Sequence, residues 1–194
     1  MTAATPKGER RRQALVEAAA GLLATGGFDA IRHRAVAERA GLPLASTTYY
    51  FDSLEDLVTA ALEHHGTAEL AYGKARLDEL DPGGCNGDAL IDLVLDLLLG
   101  PVGEGDAEAV LLRYERLVAT GRRPYLRPLM RRMSVQLHDL LFDIFTRTGQ
   151  PVTRERVEEL IALVDGAVVN ALIEISPDPR AAARRMLEKS MQPR

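Results

Sequence analysis

The stretch that decides the fold is Arg32-His33-Arg34-Ala35-Val36-Ala37-Glu38-Arg39-Ala40-Gly41-Leu42-Pro43-Leu44-Ala45-Ser46-Thr47-Thr48-Tyr49-Tyr50-Phe51. It reads as a short helix over about His33 to Ala40, a glycine reversal, and a second short helix after Pro43, whose fixed φ suits a first helical turn. Val36, Ala37 and Ala40 pack inward, and Leu42 is spaced to plug the angle between the two helices. The second helix is left with Ala45, Ser46, Thr47 and Thr48 followed by two tyrosines. That is a poor composition for burial but a good one for a helix laid in the major groove of DNA. Hydroxyls there meet base edges and phosphates, and small side chains let the backbone approach closely.

On the N-terminal side, Leu15, Ala18, Ala19, Leu22 and Leu23 share one helical face, and Gly26-Gly27 ends that helix. On the other side, Asp52 or Ser53 caps a helix whose apolar face is Leu54, Leu57, Val58, Ala61 and Leu62, with Glu55 and Asp56 in its first turn. The helix is expected to reach Leu80, with Gly66 and Gly73 as soft points. Asp81-Pro82-Gly83-Gly84-Cys85-Asn86-Gly87 is a loop, and the leucine-rich run Leu90 to Leu99 beyond it reads as a central, covered helix. Gly103-Glu104-Gly105 breaks the chain again. Helices then follow over about Asp106–Thr120, Pro124–Thr148, Thr153–Ile173 and from Asp178-Pro179 to Met191, with Gly149-Gln150-Pro151 as the stop between the second and third of these. No segment alternates with strand period. The expected fold is all-α with about nine helices: a three-helix helix-turn-helix head over 1–52 and a larger helical domain over 53–194.

Composition narrows the function classes. The net charge is −4, but seven basic and four acidic residues up to Tyr50 make the head +3 and leave −7 for the remainder. A basic head on an acidic body suits a protein that touches phosphate with one end. The run Leu90 to Leu99 is interrupted by Asp92 and Asp96 and falls short of the roughly 18 apolar residues of a membrane helix, so no membrane role is expected. The opening residues Met1 to Arg12 are polar and basic, unlike a secretory leader, and the lone Cys85 suits a reducing cytoplasm.

The sequence resembles the TetR family of transcriptional regulators from about Arg10 to Leu62. The match is carried by Ala18-Ala19 with Leu22-Leu23, Gly26-Gly27-Phe28, Val36-Ala37, Ala40-Gly41-Leu42, and Tyr49-Tyr50-Phe51 followed by Ser53 and Glu55-Asp56-Leu57. The resemblance implies a homodimer that binds a pseudo-palindromic double-stranded DNA operator, and a C-terminal domain holding a small-molecule inducer. Carried onto this chain, the DNA-contacting residues are Arg34, Leu44, Ala45, Ser46, Thr47, Thr48, Tyr49 and Tyr50. The chain departs from the family at Pro43, where a capping serine or threonine is usual, and at Leu54, where many members open the fourth helix with a lysine. Ala45 replaces the usual glycine and Thr48 a tyrosine. Phosphate anchoring is therefore expected to lean on Arg34, Thr48, Tyr49, Tyr50 and the basic arm Lys7 to Arg12.

In the second domain, Tyr114, Met130, Met133, His138 and Phe142 are the candidates to line a largely apolar ligand pocket, with ordinary core as the competing reading. Arg122-Arg123 and Arg131-Arg132 read as solvated helix edges. Val157, Leu160, Ile161, Val164, Ala167, Val168, Ala171 and Leu172, with Gly166, form a stripe expected to pair with a twin in a four-helix interface. The helix from Ser53 to Leu80 is expected to be the only continuous link from pocket to DNA. Catalysis, a metal and a cofactor are not expected. His64 and His65 point about 100° apart on a helix, Cys85 has no zinc-like spacing to either, and no phosphate loop or nucleophile elbow is present.

Overall fold

Thr5 opens the first helix. Its hydroxyl accepts the Gly8 N–H at 3.2 Å and Pro6 follows, so α1 (Pro6–Gly26) begins well before its apolar face does. The basic arm is thus the first turns of α1. In the computed structural model, residues 5–80, 87–101, 106–150, 152–176 and 178–191 are described; the expected breaks at 81–86, with Cys85, at 103–105 and at Pro151 lie outside them.

Gly27, at φ 64°, ends α1, and a 3-10 turn (Phe28–Ala30) leads into α2 (His33–Ala40). Gly41 makes the reversal with φ 65° and ψ 31°, a left-handed geometry that an L side chain resists. The N–H groups of Gly41 and Leu42 reach back to the carbonyls of Glu38 and Ala37, at 3.2 and 3.0 Å. The next helix, α3 (Ala45–Tyr50), has no side-chain cap, in keeping with Pro43. Its entry is tightened instead by Ser46 N–H to the Pro43 carbonyl at 2.9 Å and Thr47 N–H to Leu44 at 3.0 Å. Ser53 caps α4 (Leu54–Glu79), its hydroxyl accepting the Asp56 N–H at 3.1 Å. Then come α5 (Gly87–Leu99), α6 (Asp106–Thr120), a 3-10 turn (Pro124–Leu126), α7 (Arg127–Arg147), α8 (Arg154–Ile173) and α9 (Pro179–Met191). The described residues hold these nine α-helices and no strand. None of the helices is long and apolar enough to cross a membrane.

The chain packs as two compact units. The first comprises the residues up to Ala68 together with Glu115–Met130, and the second comprises Glu69–Tyr114 with Arg131 onward. In the first, Leu15, Ala19, Leu23, Ile31, Val36, Ala37, Phe51, Leu57, Ala61 and Leu126 are buried. A contact boundary therefore does not fall between Asp52 and Ser53: the first turns of α4, the end of α6 and the start of α7 pack with the head. The chain passes from unit to unit inside α4, inside α6 and inside α7, so α4 is one of three continuous links rather than the only one.

In the second unit, α5 is central, as its nearly all-round apolar surface requires. Leu90, Val94, Leu95 and Leu97 are buried among Leu140, Leu141, Ile144 and Phe145 of α7, Val157, Leu160, Val164 and Val168 of α8, and Leu187 of α9. The two aspartates that interrupt α5 are both paired by α9, Asp92 with Arg184 and Asp96 with the buried Arg180, which also donates to the Gly100 carbonyl at 2.7 Å. Gly73 is a packing residue. A Cβ built there lies 2.5 Å from Leu97 Cδ2 and 2.6 Å from Leu140 Cδ2, so glycine lets α5 and α7 approach α4.

Candidate nucleic-acid interface

The short helix α3 has two faces, and the split follows from helical geometry on a half-packed element. Leu44, Ala45, Thr48 and Tyr49 are exposed, Tyr49 to 81%, while Ser46 and Tyr50 are half-buried. Thr47 is fully buried and its hydroxyl donates to the Leu44 carbonyl at 2.8 Å. It therefore faces the core of the head and is not offered to a base edge, contrary to its place in the sequence reading. The two tyrosines meet edge to face with ring centroids 4.8 Å apart. Tyr50 sends its hydroxyl to the first turn of α1, where a Cβ on Gly8 would lie 3.6 Å from it. Tyr49 is the free member of the pair.

Arg34 stands on the first turn of α2 with its side chain almost wholly in solvent, paired with Glu38 at 2.9 Å. An exposed i,i+4 pair of this kind is worth a few tenths of a kcal/mol, so phosphate can compete for the guanidinium at little cost. Lys7, Arg10 and Arg11 are exposed at the start of α1. Arg12 is partly spent within the fold, lying over the Phe51 ring at 5.2 Å and so tying the start of α1 to the exit of α3. Arg39 crosses α1 at Gly21, where a Cβ would fall 2.7 Å from its guanidinium.

Sequence reasoning missed one constellation in this unit. Arg123 is no solvated edge: its guanidinium lies 4.0 Å from the centroid of the Phe28 ring and donates to the Ala119 carbonyl at 2.8 Å. Phe28, Asp29, Ile31, Arg32, Leu54, Glu55, Val58, Arg123 and Tyr125 line one cavity of ≈ 280 Å³. Burial, and then the nearby Glu55 carboxylate, raise the Tyr125 phenol above its ordinary pKa, while Arg123 opposes them. No linear signal places residue 123 on residue 28.

The ligand candidates separate. Met130 falls with the head, whereas Tyr114, Met133, His138 and Phe142 belong to the second unit. Three of these meet α8. Tyr114 is buried and donates to Asp165 at 2.7 Å, His138 approaches Glu158 at 3.9 Å, and Arg154 lies over the Phe142 ring at 4.9 Å. Burial first, and then the Asp165 hydrogen bond, push the Tyr114 phenol pKa far upward. The second unit also carries the ion pair of Arg113 with Glu69. No group of three or more metal-ligating side chains occurs among the described residues.

A short exposed helix behind a glycine turn, buttressed by an amphipathic first helix and continued into a helical bundle, defines a helix-turn-helix DNA-binding protein. The comparisons agree in both halves. Residues 15–61 match the model described as bacterial regulatory proteins, tetR family, and residues 86–193 match the model described as tetracyclin repressor-like, C-terminal domain. The chain belongs to the TetR family, and it is a DNA-binding transcriptional regulator with a C-terminal ligand-binding domain. It is similar to the multidrug binding protein EbrR in its complex with proflavin, at 31% identity over 92% of this chain and 98% of that one, with a TM-score of 0.66. A TetR-family member from Streptomyces coelicolor A3 shows 29% identity over 94% and 99% of the two chains, with a TM-score of 0.63. A regulator from Saccharomonospora viridis, crystallised with choline, shares the fold at 20% identity over 93% and 95% of the two chains, with a TM-score of 0.71. No curated protein matches the chain.

Proposed function

We propose that the chain is a homodimeric repressor that holds a pseudo-palindromic operator through α3 and is released from it by a small organic molecule. The observation that carries the DNA part is the two-faced α3, with Thr47 buried beneath exposed Ala45, Thr48 and Tyr49. Thr48 and Tyr49 read bases or phosphates, Ala45 allows close approach of the backbone, Leu44 offers an apolar contact, Ser46 and Tyr50 act from the flank, and Arg34 takes a phosphate. In a two-fold dimer the two α3 helices meet successive major grooves about 34–36 Å apart.

The ligand is proposed to sit in the second unit, with Tyr114, Met133, His138 and Phe142 among its neighbours; Met130 packs with the first unit and is left out of that set. EbrR is described in complexes with ethidium and with proflavin, so these flat dyes are the first molecules to try. The dimer is proposed to form on the outer faces of α8 and α9. Val157, Leu160, Val164 and Val168 are buried in this chain's own core and are not available to a twin. The exposed large apolar residues of these two helices are Val169 and Ile173 of α8 and Met186 of α9, with the exposed Gly166 on the same helix as the first two.

The deciding experiment is a gel shift of the purified full chain with the DNA upstream of its own coding region, with and without ethidium. A discrete salt-sensitive complex that dissolves on adding dye supports the whole reading. A complex indifferent to ethidium and proflavin leaves the operator reading and removes the dye class. No complex in 50 mM salt, with folded protein, overturns the operator reading in favour of a helical sensor without specific DNA binding.

A further inference from the structure

We infer that Arg123, more than seventy residues from the reading helix, is a positioning residue for DNA recognition: it clamps the turn that aims Arg34 at phosphate. The inference rests on the reading of α2 and α3 as the DNA-contacting elements.

The argument starts from what holds the Phe28–Ala30 turn in place. Its own backbone supplies little, a 3.4 Å bond from Ala30 N–H to Gly27 and a 3.1 Å bond from Ile31 N–H to Phe28. From the α2 side the hold is a single bond, Arg32 Nε–H to the Asp29 carbonyl at 3.3 Å, and Arg32 gives α2 no side-chain cap. The turn is therefore fixed by side chains. Ile31 is buried, and Phe28 lies under the Arg123 guanidinium. The ≈ 280 Å³ cavity beside Phe28 gives the ring room to move once that guanidinium is gone. Arg123 is itself held by its bond to the Ala119 carbonyl at 2.8 Å, while Leu126 just beyond is fully buried. A planar cation with both faces and all its edges usable is the side chain suited to stacking and hydrogen bonding at once.

Arg34 follows that turn by four residues and sits on the first helical turn it launches. A shift of Phe28 is thus carried directly into the position of the Arg34 guanidinium, and more weakly into α3 beyond Gly41. Arg123 touches no DNA in this scheme. It acts through Phe28.

The test uses the full chain and an operator selected by that chain from random DNA. Compared are wild type, Arg123→Ala, Phe28→Leu, Phe28→Tyr, Arg34→Ala and the double variant Arg34→Ala with Arg123→Ala, each checked for its melting temperature and dimer content. Arg123→Ala and Phe28→Leu are expected to bind about tenfold more weakly, with the salt slope reduced by about 2 as one phosphate contact is lost from each protomer. Phe28→Tyr keeps a ring under the guanidinium and binds as wild type. In the Arg34→Ala background, Arg123→Ala brings only a small further loss, the part carried through α3. A merely structural role lowers melting temperature and active fraction but leaves the salt slope unchanged. An unchanged slope, or losses at positions 34 and 123 that add in full, overturns the inference. Failure of the wild type to select any DNA removes the reading on which it rests, and the inference with it.

Discussion

Thr47 and Thr48 are adjacent, share a side chain and end in opposite environments. Thr47 is enclosed with its hydroxyl bonded to Leu44, while Thr48 is exposed with its hydroxyl bonded to the Ala45 carbonyl at 3.3 Å. Thr47→Val keeps the shape and loses the internal hydrogen bond, so it is expected to cost roughly 1 kcal/mol of stability and leave operator preference unchanged. Thr48→Val is expected to do the reverse, and thermal melts set beside gel shifts on operator variants separate the two. Tyr114 gives a second test at this scale. Its folded-state pKa is raised, by burial first and by Asp165 second, so its contribution to stability is present below the unfolded phenol pKa of about 10 and is lost as pH rises above it. Wild type is therefore expected to exceed Tyr114→Phe in melting temperature at pH 8. The gap should narrow above pH 10; a gap that stays constant to pH 11 would show that this tyrosine ionises freely.

Among the elements, α4 carries the largest revision. Two glycines in a long helix look like places to bend, and Gly66 and Gly73 fall on either side of the passage between the two packing units at 68/69. Yet Gly73 is held by close packing, with Leu97 and Leu140 occupying the space a side chain needs. An exposed helical Gly→Ala change gains about 1 kcal/mol in propensity. Here the overpacking penalty of roughly 1–3 kcal/mol opposes that gain, and Gly73→Ala is expected to come out destabilising, as measured by urea unfolding. A net gain would show that the two leucine ends move aside at no cost. The aspartates of α5 teach the same lesson in reverse. In the sequence they interrupt an apolar run; in the bundle they receive Arg184 and Arg180 of α9, which sets how α9 lies on α5.

At the scale of the whole molecule, three helices rather than one run between the packing units, so a ligand can bias the head through α6 and α7 as well as α4. Moving such a regulator from nearly all competent to nearly all released takes roughly 10⁴-fold differential affinity, about 5.5 kcal/mol. By reciprocity, operator DNA must weaken inducer binding by the same factor that inducer weakens DNA binding. Dye titrations with and without operator measure it, and equal affinities would show the sites to be uncoupled. Dimerisation is tested on the outer face of α8. Ile173 is 73% exposed and Val164 is enclosed, so Ile173→Glu is expected to give folded monomers with weak operator affinity, whereas Val164→Arg should unfold the second unit. Sedimentation with circular dichroism distinguishes these outcomes, and a fully dimeric Ile173→Glu protein would move the interface elsewhere.

The sequence by itself determined the helices, their order and the place of the short helix behind the glycine turn. Those depend on local chemistry: apolar period, the left-handed Gly41, Ser53 and Asp178 as caps, and the Pro43 entry. Their side chains meet within a few residues along the chain. Only the tertiary structure decided which side of α3 is buried, which face of α8 is left over, and that Gly73 is filled by its neighbours. It alone brought Arg123 onto Phe28 and divided the chain by contact within α4, α6 and α7. These facts depend on contacts between residues tens of positions apart, and the periodicity of one helix fixes an apolar face without naming what will cover it.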